Sequence, residues 1–217
     1  MCVVIPIALD GDQFVDEDLT AALAAARDGD ERAFAVLWQS LQPPVLRYLR
    51  VLVGDVAQDV ASETWLQVAR DIRGFRGDLA GFRVWLFRIA RNRGLDELRR
   101  AGRHKEEPYR PDREGGPYAP DAGVEAMDRL GTEWALALIA TLPMDQAEAV
   151  MLRVVAGLDA AQAGAVLGKR AGAVRIAAMR GLRRLAGNSD VQARRSERAS
   201  PPGRLIVGGE SPRPGGV

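Results

Sequence analysis

A chain of 217 residues is long enough for one or two domains, and 47% hydrophobic with 27% charged residues is ordinary for a protein with buried cores. A single cysteine, Cys2, excludes an internal disulfide framework and a multi-cysteine metal site; a single histidine, His104, argues against a His-rich metal site or a Ser-His-Asp triad. The net charge of +1 conceals blocks: residues 1–65 hold 4 basic and 11 acidic side chains, 66–105 hold 11 and 4, 106–168 hold 4 and 11, and 169–217 hold 11 and 3, a pattern expected of two polyanion-facing surfaces on one chain.

No apolar run approaches the ~20 residues of a membrane helix. The apolar start, residues 3–9, is short, lacks a basic flank and is interrupted by Pro6, which makes it a poor signal peptide. The chain reads as cytoplasmic.

Residues 1–17 read as a flexible arm. Asp16-Glu17-Asp18 offers a cap and an acidic first turn for a helix reaching about Arg27. Phe34, Leu37, Trp38 and Leu41 form a helical stripe, which Pro43-Pro44 is expected to end while starting the next helix. Val45, Leu46, Leu49, Leu52 and Val53 form the buried face of that next helix. Gly54 stops it and Asp55 is expected to cap its successor.

That successor spans about 56 to 73, with Val56, Val60, Trp65, Val68 and Ile72 inward and Gln58, Asp59, Ser62, Glu63 and Gln67 outward. A Gly-rich basic loop follows through Gly81. The next helix, about 82 to 101, turns Phe82, Trp85, Leu86, Ile89 and Leu98 inward and Arg83, Arg88, Arg91, Asn92, Arg99 and Arg100 outward. Phe75, Phe82 and Trp85 interleave with arginines, the composition that grips unpaired strands. Trp85 sits on the Leu86/Ile89 stripe, which favours core packing; Phe75, in the loop, is the better stacking candidate.

Residues 104–122 carry several Pro and Gly among charges and read as a linker. Helix resumes near Asp121 through Trp134, Leu136, Leu138 and Ile139. Leu142-Pro143 starts another, with Ala147, Val150, Met151, Val154 and Val155 inward, and Gly157-Leu158 ends it. Residues 159–185 have the proportions of a helix-turn-helix: a short helix capped by Asp159, a turn at Gly168, and a second helix carrying Arg175, Arg180, Arg183 and Arg184. From Gly187 to Val217 the composition is that of a disordered tail. No alternating strand pattern of any length is present, so the expected fold is all-α: two small helical domains, 18–103 and 123–186, joined by a flexible linker.

The 57–68 helix, the Phe82-Arg-Val-Trp-Leu-Phe-Arg-Ile-Ala-Arg-Asn92 segment with Asp96 and Arg99-Arg100, and the pattern of Leu142-Pro143, Gly157-Leu158, Leu167-Gly168, Val174, Arg175 and Arg180 together resemble the bacterial RNA polymerase sigma factors of the sigma-70 family, extracytoplasmic-function (group IV) type. The resemblance covers about residues 18–186. It implies a region 2-like domain that binds core polymerase through Gln58, Asp59, Ser62 and Glu63. The same domain would hold the −10 element through Phe75, Arg76, Arg83, Arg88, Arg91, Asn92, Arg99 and Arg100. It implies a region 4-like domain that contacts the −35 element through Lys169, Arg170, Arg175, Arg180 and Arg183. The implied partners are core RNA polymerase (β′ and β subunits), promoter DNA and an anti-sigma factor. No small-molecule substrate, cofactor or metal is implied, and catalysis would belong to the polymerase, not to this chain.

The sequence departs from the family pattern in places. Ser62 stands where Gln is usual. Ala163 and Ala178 replace larger aliphatics, each expected to forgo roughly 1.5–3 kcal/mol of burial. Gly164 is expected to cost about 1 kcal/mol against Ala in a helix. Ile176 and Ala177 replace polar and basic residues on the reading helix. A helix-turn-helix regulator or interaction protein acting without promoter melting is the alternative; clustered metal-binding carboxylates and phosphate loops, which an enzyme would need, are not found.

Overall fold

The computed structural model describes residues 16–103 and 123–192, and every regular element in them is helical. The arm before Asp16, the linker 104–122 and the tail after Gln192 lie outside the described residues, as do the expectations made for them. The first unit comprises α1 (Asp16–Arg27), α2 (Glu31–Val53), α3 (Ala57–Asp71) and α4 (Leu79–Arg103). The second comprises α5 (Gly123–Ala140), α6 (Met144–Val150), α7 (Ala160–Leu167) and α8 (Ala171–Ala186).

Helix α2 begins where the Asp30 carboxylate accepts from the backbone N–H groups of Arg32 (2.8 Å) and Ala33 (3.1 Å). It does not end at Pro43-Pro44, as the sequence suggested, but runs through both. Proline's fixed φ suits a helix; the cost, roughly 3 kcal/mol, comes from lost donors and ring crowding. Leu37, Leu41, Val45, Leu49 and Leu52 form one buried stripe across the pair. At roughly 1.5–3 kcal/mol per large side chain, that burial outweighs the break. Trp38 lies off the stripe and is 43% exposed.

Three more boundaries differ from expectation. Asp55 does not cap α3; it sits inside a 3₁₀ turn, Gly54–Val56, and the residue before α3, Val56, is exposed rather than inward. The loop before α4 is shorter than 74–81, because the Asp78 side chain accepts from Gly81 N–H (2.7 Å) and its carbonyl from Phe82 N–H (2.9 Å), starting the helix at Leu79. After α6 the helix widens into a π stretch, Met151–Val155, in which Ala156 N–H reaches back five residues to Met151 O. The widened turn rotates the apolar face, so Leu152 is buried and Val154 is exposed.

Small residues set how closely helices approach. A Cβ on Gly94 would stand 2.7 Å from Leu52 Cδ2, where α4 crosses α2, and one on Gly181 would stand 2.9 Å from Val150 Cγ2, where α8 crosses α6. Ala163 and Ala178 are buried in the same tight packing. Gly164 has a specific reason: a Cβ there would stand 2.5 Å from the Lys169 carbonyl oxygen in the turn that follows. Gly168 makes that turn in the left-handed region (φ 66°, ψ 31°) and closes α7 by donating to Gly164 O.

The two units share one hydrophobic core. Helix α2 packs against α5 and α6, and α4 lies along α7. Beyond α8, residues 189–192, the last described, are again helical and bury Val191.

Candidate nucleic-acid and polymerase interfaces

Gln58, Asp59, Ser62 and Glu63 all emerge on one exposed face of α3. Positions 58, 59, 62, 63 and 66 share that face by helical geometry. The opposite face buries Val60, Ala61, Thr64, Trp65 and Val68. Ser62 Oγ bonds back to Gln58 O (2.9 Å), so the hydroxyl is tied to its own helix. Glu63 reaches Arg93 of α4 at 3.4 Å, and the same guanidinium holds Gln67 Oε1 at 3.0 and 3.2 Å. The acidic face is thus fixed to the arginine helix. Leu66, 58% exposed at the end of this face, was missed from sequence. The available signal was that it falls off the inward stripe.

The loop between α3 and α4 brings three rings together. Phe75 lies 5.2 Å from Trp85 with rings tilted at 32°, and 5.6 Å from Phe82 in a nearly edge-on arrangement. Phe82 is fully buried, whereas Phe75 and Trp85 are half-buried. Trp85 is therefore both core and surface: one face packs, and the rest borders a hollow of about 450 Å³ with Arg70, Asp71, Gly74 and Phe75. Gly77 (φ 151°) permits the loop to fold back, since a Cβ there would meet the Phe75 ring at 3.0 Å. Arg76 braces the loop by donating to the carbonyls of Arg73 and Phe75, both at 2.9 Å.

The remaining −10 candidates divide. Asn92 is exposed. Arg99 and Arg100 are exposed and pair with Asp96 (2.8 Å) and Glu97 (3.5 Å) one turn back; such surface pairs are worth ~0–1 kcal/mol and yield readily to a phosphate. Arg83 pairs with Asp16 at 2.8 Å. Arg88 and Arg91 are engaged by the second unit. Arg88 donates to Ala165 O (2.9 Å), and Arg91 donates to the Glu148 carboxylate at 2.7 and 3.3 Å. Tyr48 donates to the same carboxylate at 2.8 Å. Burial, then the adjacent carboxylate, raise the Tyr48 hydroxyl well above the ordinary phenol range. For Arg91, burial acts against the charge, but the Glu148 hydrogen bonds and charge prevail and raise its pKa.

In the second unit Asp159 caps α7, accepting from Ala161 and Gln162 N–H while Gln162 Oε1 accepts from Asp159 N–H, a reciprocal box. Lys169, Arg170, Arg175, Arg180 and Arg183 are all exposed, and among the described residues none forms an ion pair. Of the two atypical positions on α8, only Ile176 is on the open face; Ala177 points into the core. Groups of acids, cysteines or histidines that would hold a metal ion are absent among the described residues. No helix there is long and apolar enough to cross a membrane.

Residues 37–104 match the family model for Sigma-70 region 2, and residues 132–185 match that for Sigma-70 region 4. The chain is 35% identical over 179 residues to the ECF RNA polymerase sigma factor SigD of Mycobacterium tuberculosis (strain ATCC 25618 / H37Rv), covering 78% of this chain and 82% of that protein. It is 34% identical over 188 residues to the ECF RNA polymerase sigma factor ShbA of Streptomyces griseus subsp. griseus, covering 78% and 96% respectively. Among solved structures, CnrH in complex with the cytosolic domain of CnrY is similar in fold, with a TM-score of 0.56 at 22% identity over 80% of this chain and 98% of that one.

Proposed function

This chain belongs to the extracytoplasmic-function sigma factors of the sigma-70 family, and on that premise we propose how its surfaces share the work of binding core RNA polymerase, directing it to promoters and opening the −10 element. The α3 face of Gln58, Asp59, Ser62 and Glu63, extended by Leu66, docks on the polymerase core, chiefly its β′ subunit. An acidic strip with one apolar contact suits a basic partner surface that also offers a hydrophobic seat. The α8 arginines face the −35 duplex. The chain works in the cytoplasm, and the bond-making chemistry belongs to the polymerase. An anti-sigma protein is the expected antagonist.

One observation supports strand capture most directly: the hollow beside Phe75 and Trp85, rimmed by Arg70. It has room for one unstacked base, and stacking on an aromatic ring is worth ~1–3 kcal/mol per base. A paired base cannot enter, so that energy is released only by the open strand. Melting is then driven by differential binding of the separated form.

Core polymerase carrying Phe75→Ala tests this on two probes, a duplex promoter and the same promoter with the −10 non-template strand left unpaired. Loss of affinity for the unpaired probe alone, by roughly 1–3 kcal/mol, is the expected result. Equal affinity of both proteins for the unpaired probe removes the hollow from the mechanism.

A further inference from the structure

The exposed face of α8 carries Gly172, Ala173, Arg175, Ile176, Met179 and Arg180. Ile176 is 48% exposed and Met179, three residues on, 44%. No core packing explains an isoleucine there, because the same helix buries Val174, Ala177, Ala178, Gly181 and Leu185 on its other side. Gly172 is not required by close packing either, as a Cβ there would meet nothing within 4 Å. The first two turns of the face are therefore small or apolar, apart from Arg175.

The chemistry of the helix limits what it reads. From Ala171 to Ala186 there is no Asn, Gln, Ser, Thr, Asp or Glu. Adenine is read in the major groove by Asn or Gln, and cytosine by an acid; guanine is read by Arg or Lys. Thymine alone offers a methyl group, which an apolar side chain contacts without any hydrogen bond. The apolar island is ringed by Lys169, Arg170, Arg175, Arg180 and Arg183, none paired with an acid among the described residues. A cationic rim around an apolar centre suits a DNA groove flanked by phosphates.

We propose that Ile176 reads a thymine C5-methyl group in the −35 duplex, beside guanine contacts from Arg175, so that this chain selects a −35 block of guanine and thymine on the contacted strands. The proposal rests on α8 being the −35 helix and names the determinant of its specificity. The test uses full-length chain bound to core polymerase. A duplex library randomised across the −35 block is selected on this holoenzyme, and the enriched duplex is resynthesised with each thymine replaced singly by deoxyuridine, which removes only the methyl.

At one thymine the wild-type holoenzyme is expected to bind the deoxyuridine probe about fourfold more weakly, the factor that ~0.8 kcal/mol per buried apolar carbon converts to. Ile176→Ala, a surface change that raises helix propensity, is expected to bind both probes equally there. Full tolerance of deoxyuridine at every position overturns the proposal while leaving α8 as the −35 helix. So does undiminished discrimination by Ile176→Ala. Failure to enrich any −35 block removes the reading of α8 itself, and the proposal with it.

Discussion

Arg91 and Glu148 stand 57 positions apart in the chain, yet the guanidinium Nε lies 2.7 Å from the carboxylate, and the carboxylate is almost wholly buried. Their meeting, with Tyr48 on the same carboxylate, holds the second unit against the first. It also brings Arg88 and Arg91, two residues expected to hold the −10 strand, into hydrogen bonds with the second unit. In the structure the two units are closed on each other; on the role proposed for these arginines, strand capture requires the units to part.

Glu148→Ala leaves Arg91 without its buried partner. Breaking a buried pair costs ~3–5 kcal/mol; the loss here is smaller, because the surviving Arg91 side chain is 20% exposed and can rehydrate, and it falls on the closed form. Fluorescent labels on α3 and α8 are expected to move apart in the variant, with each unit keeping its helix content. An unchanged label distance would show that the apolar seam holds the units together without Glu148.

The Tyr48 hydroxyl makes the closed form sensitive to alkali. Its pKa is raised on folding. Its stabilisation is thus complete below the ordinary phenol value of ~10 and declines as pH rises above it, because the unfolded chain loses that proton first. Tyr48→Phe is expected to narrow the loss in urea midpoint between pH 8 and pH 10.5. Parallel losses in the two proteins would assign the alkaline effect to other groups.

Arg88→Ala with Arg91→Ala tests strand holding only in a Glu148→Ala background, since Arg91→Ala alone also strands a buried carboxylate. In that background the pair is expected to weaken open-complex formation and to lower its salt slope by up to ~0.7 for each single-strand phosphate left without its arginine. An unaltered slope would place the −10 phosphates elsewhere.

Gly164→Ala is expected to destabilise the chain. Helix propensity alone predicts a gain of about 1 kcal/mol, but the new methyl would stand 2.5 Å from Lys169 O, and overpacking costs ~1–3 kcal/mol. Thermal unfolding of the variant distinguishes the two signs directly.

The sequence alone determined the helical class, the acidic face of α3 and the arginine face of α8, because each is a local periodicity of 3.6 residues that a side-chain pattern reports without reference to neighbours. It also singled out Phe75 as the loop ring, since a loop position lies off every stripe; the structure half-buries that ring against Phe82 and Trp85. What it could not show depended on packing and backbone contacts that a side-chain period does not report. Pro43-Pro44 stays helical because the core on both sides of the pair belongs to one stripe. Gly164 is dictated by the Lys169 carbonyl, and Val154 is exposed by the π turn. Glu148, an acid at a buried position, reads as an anomaly until Tyr48 and Arg91 are placed around it. A buried charge is tolerated only with its partners, and only the tertiary structure supplies them.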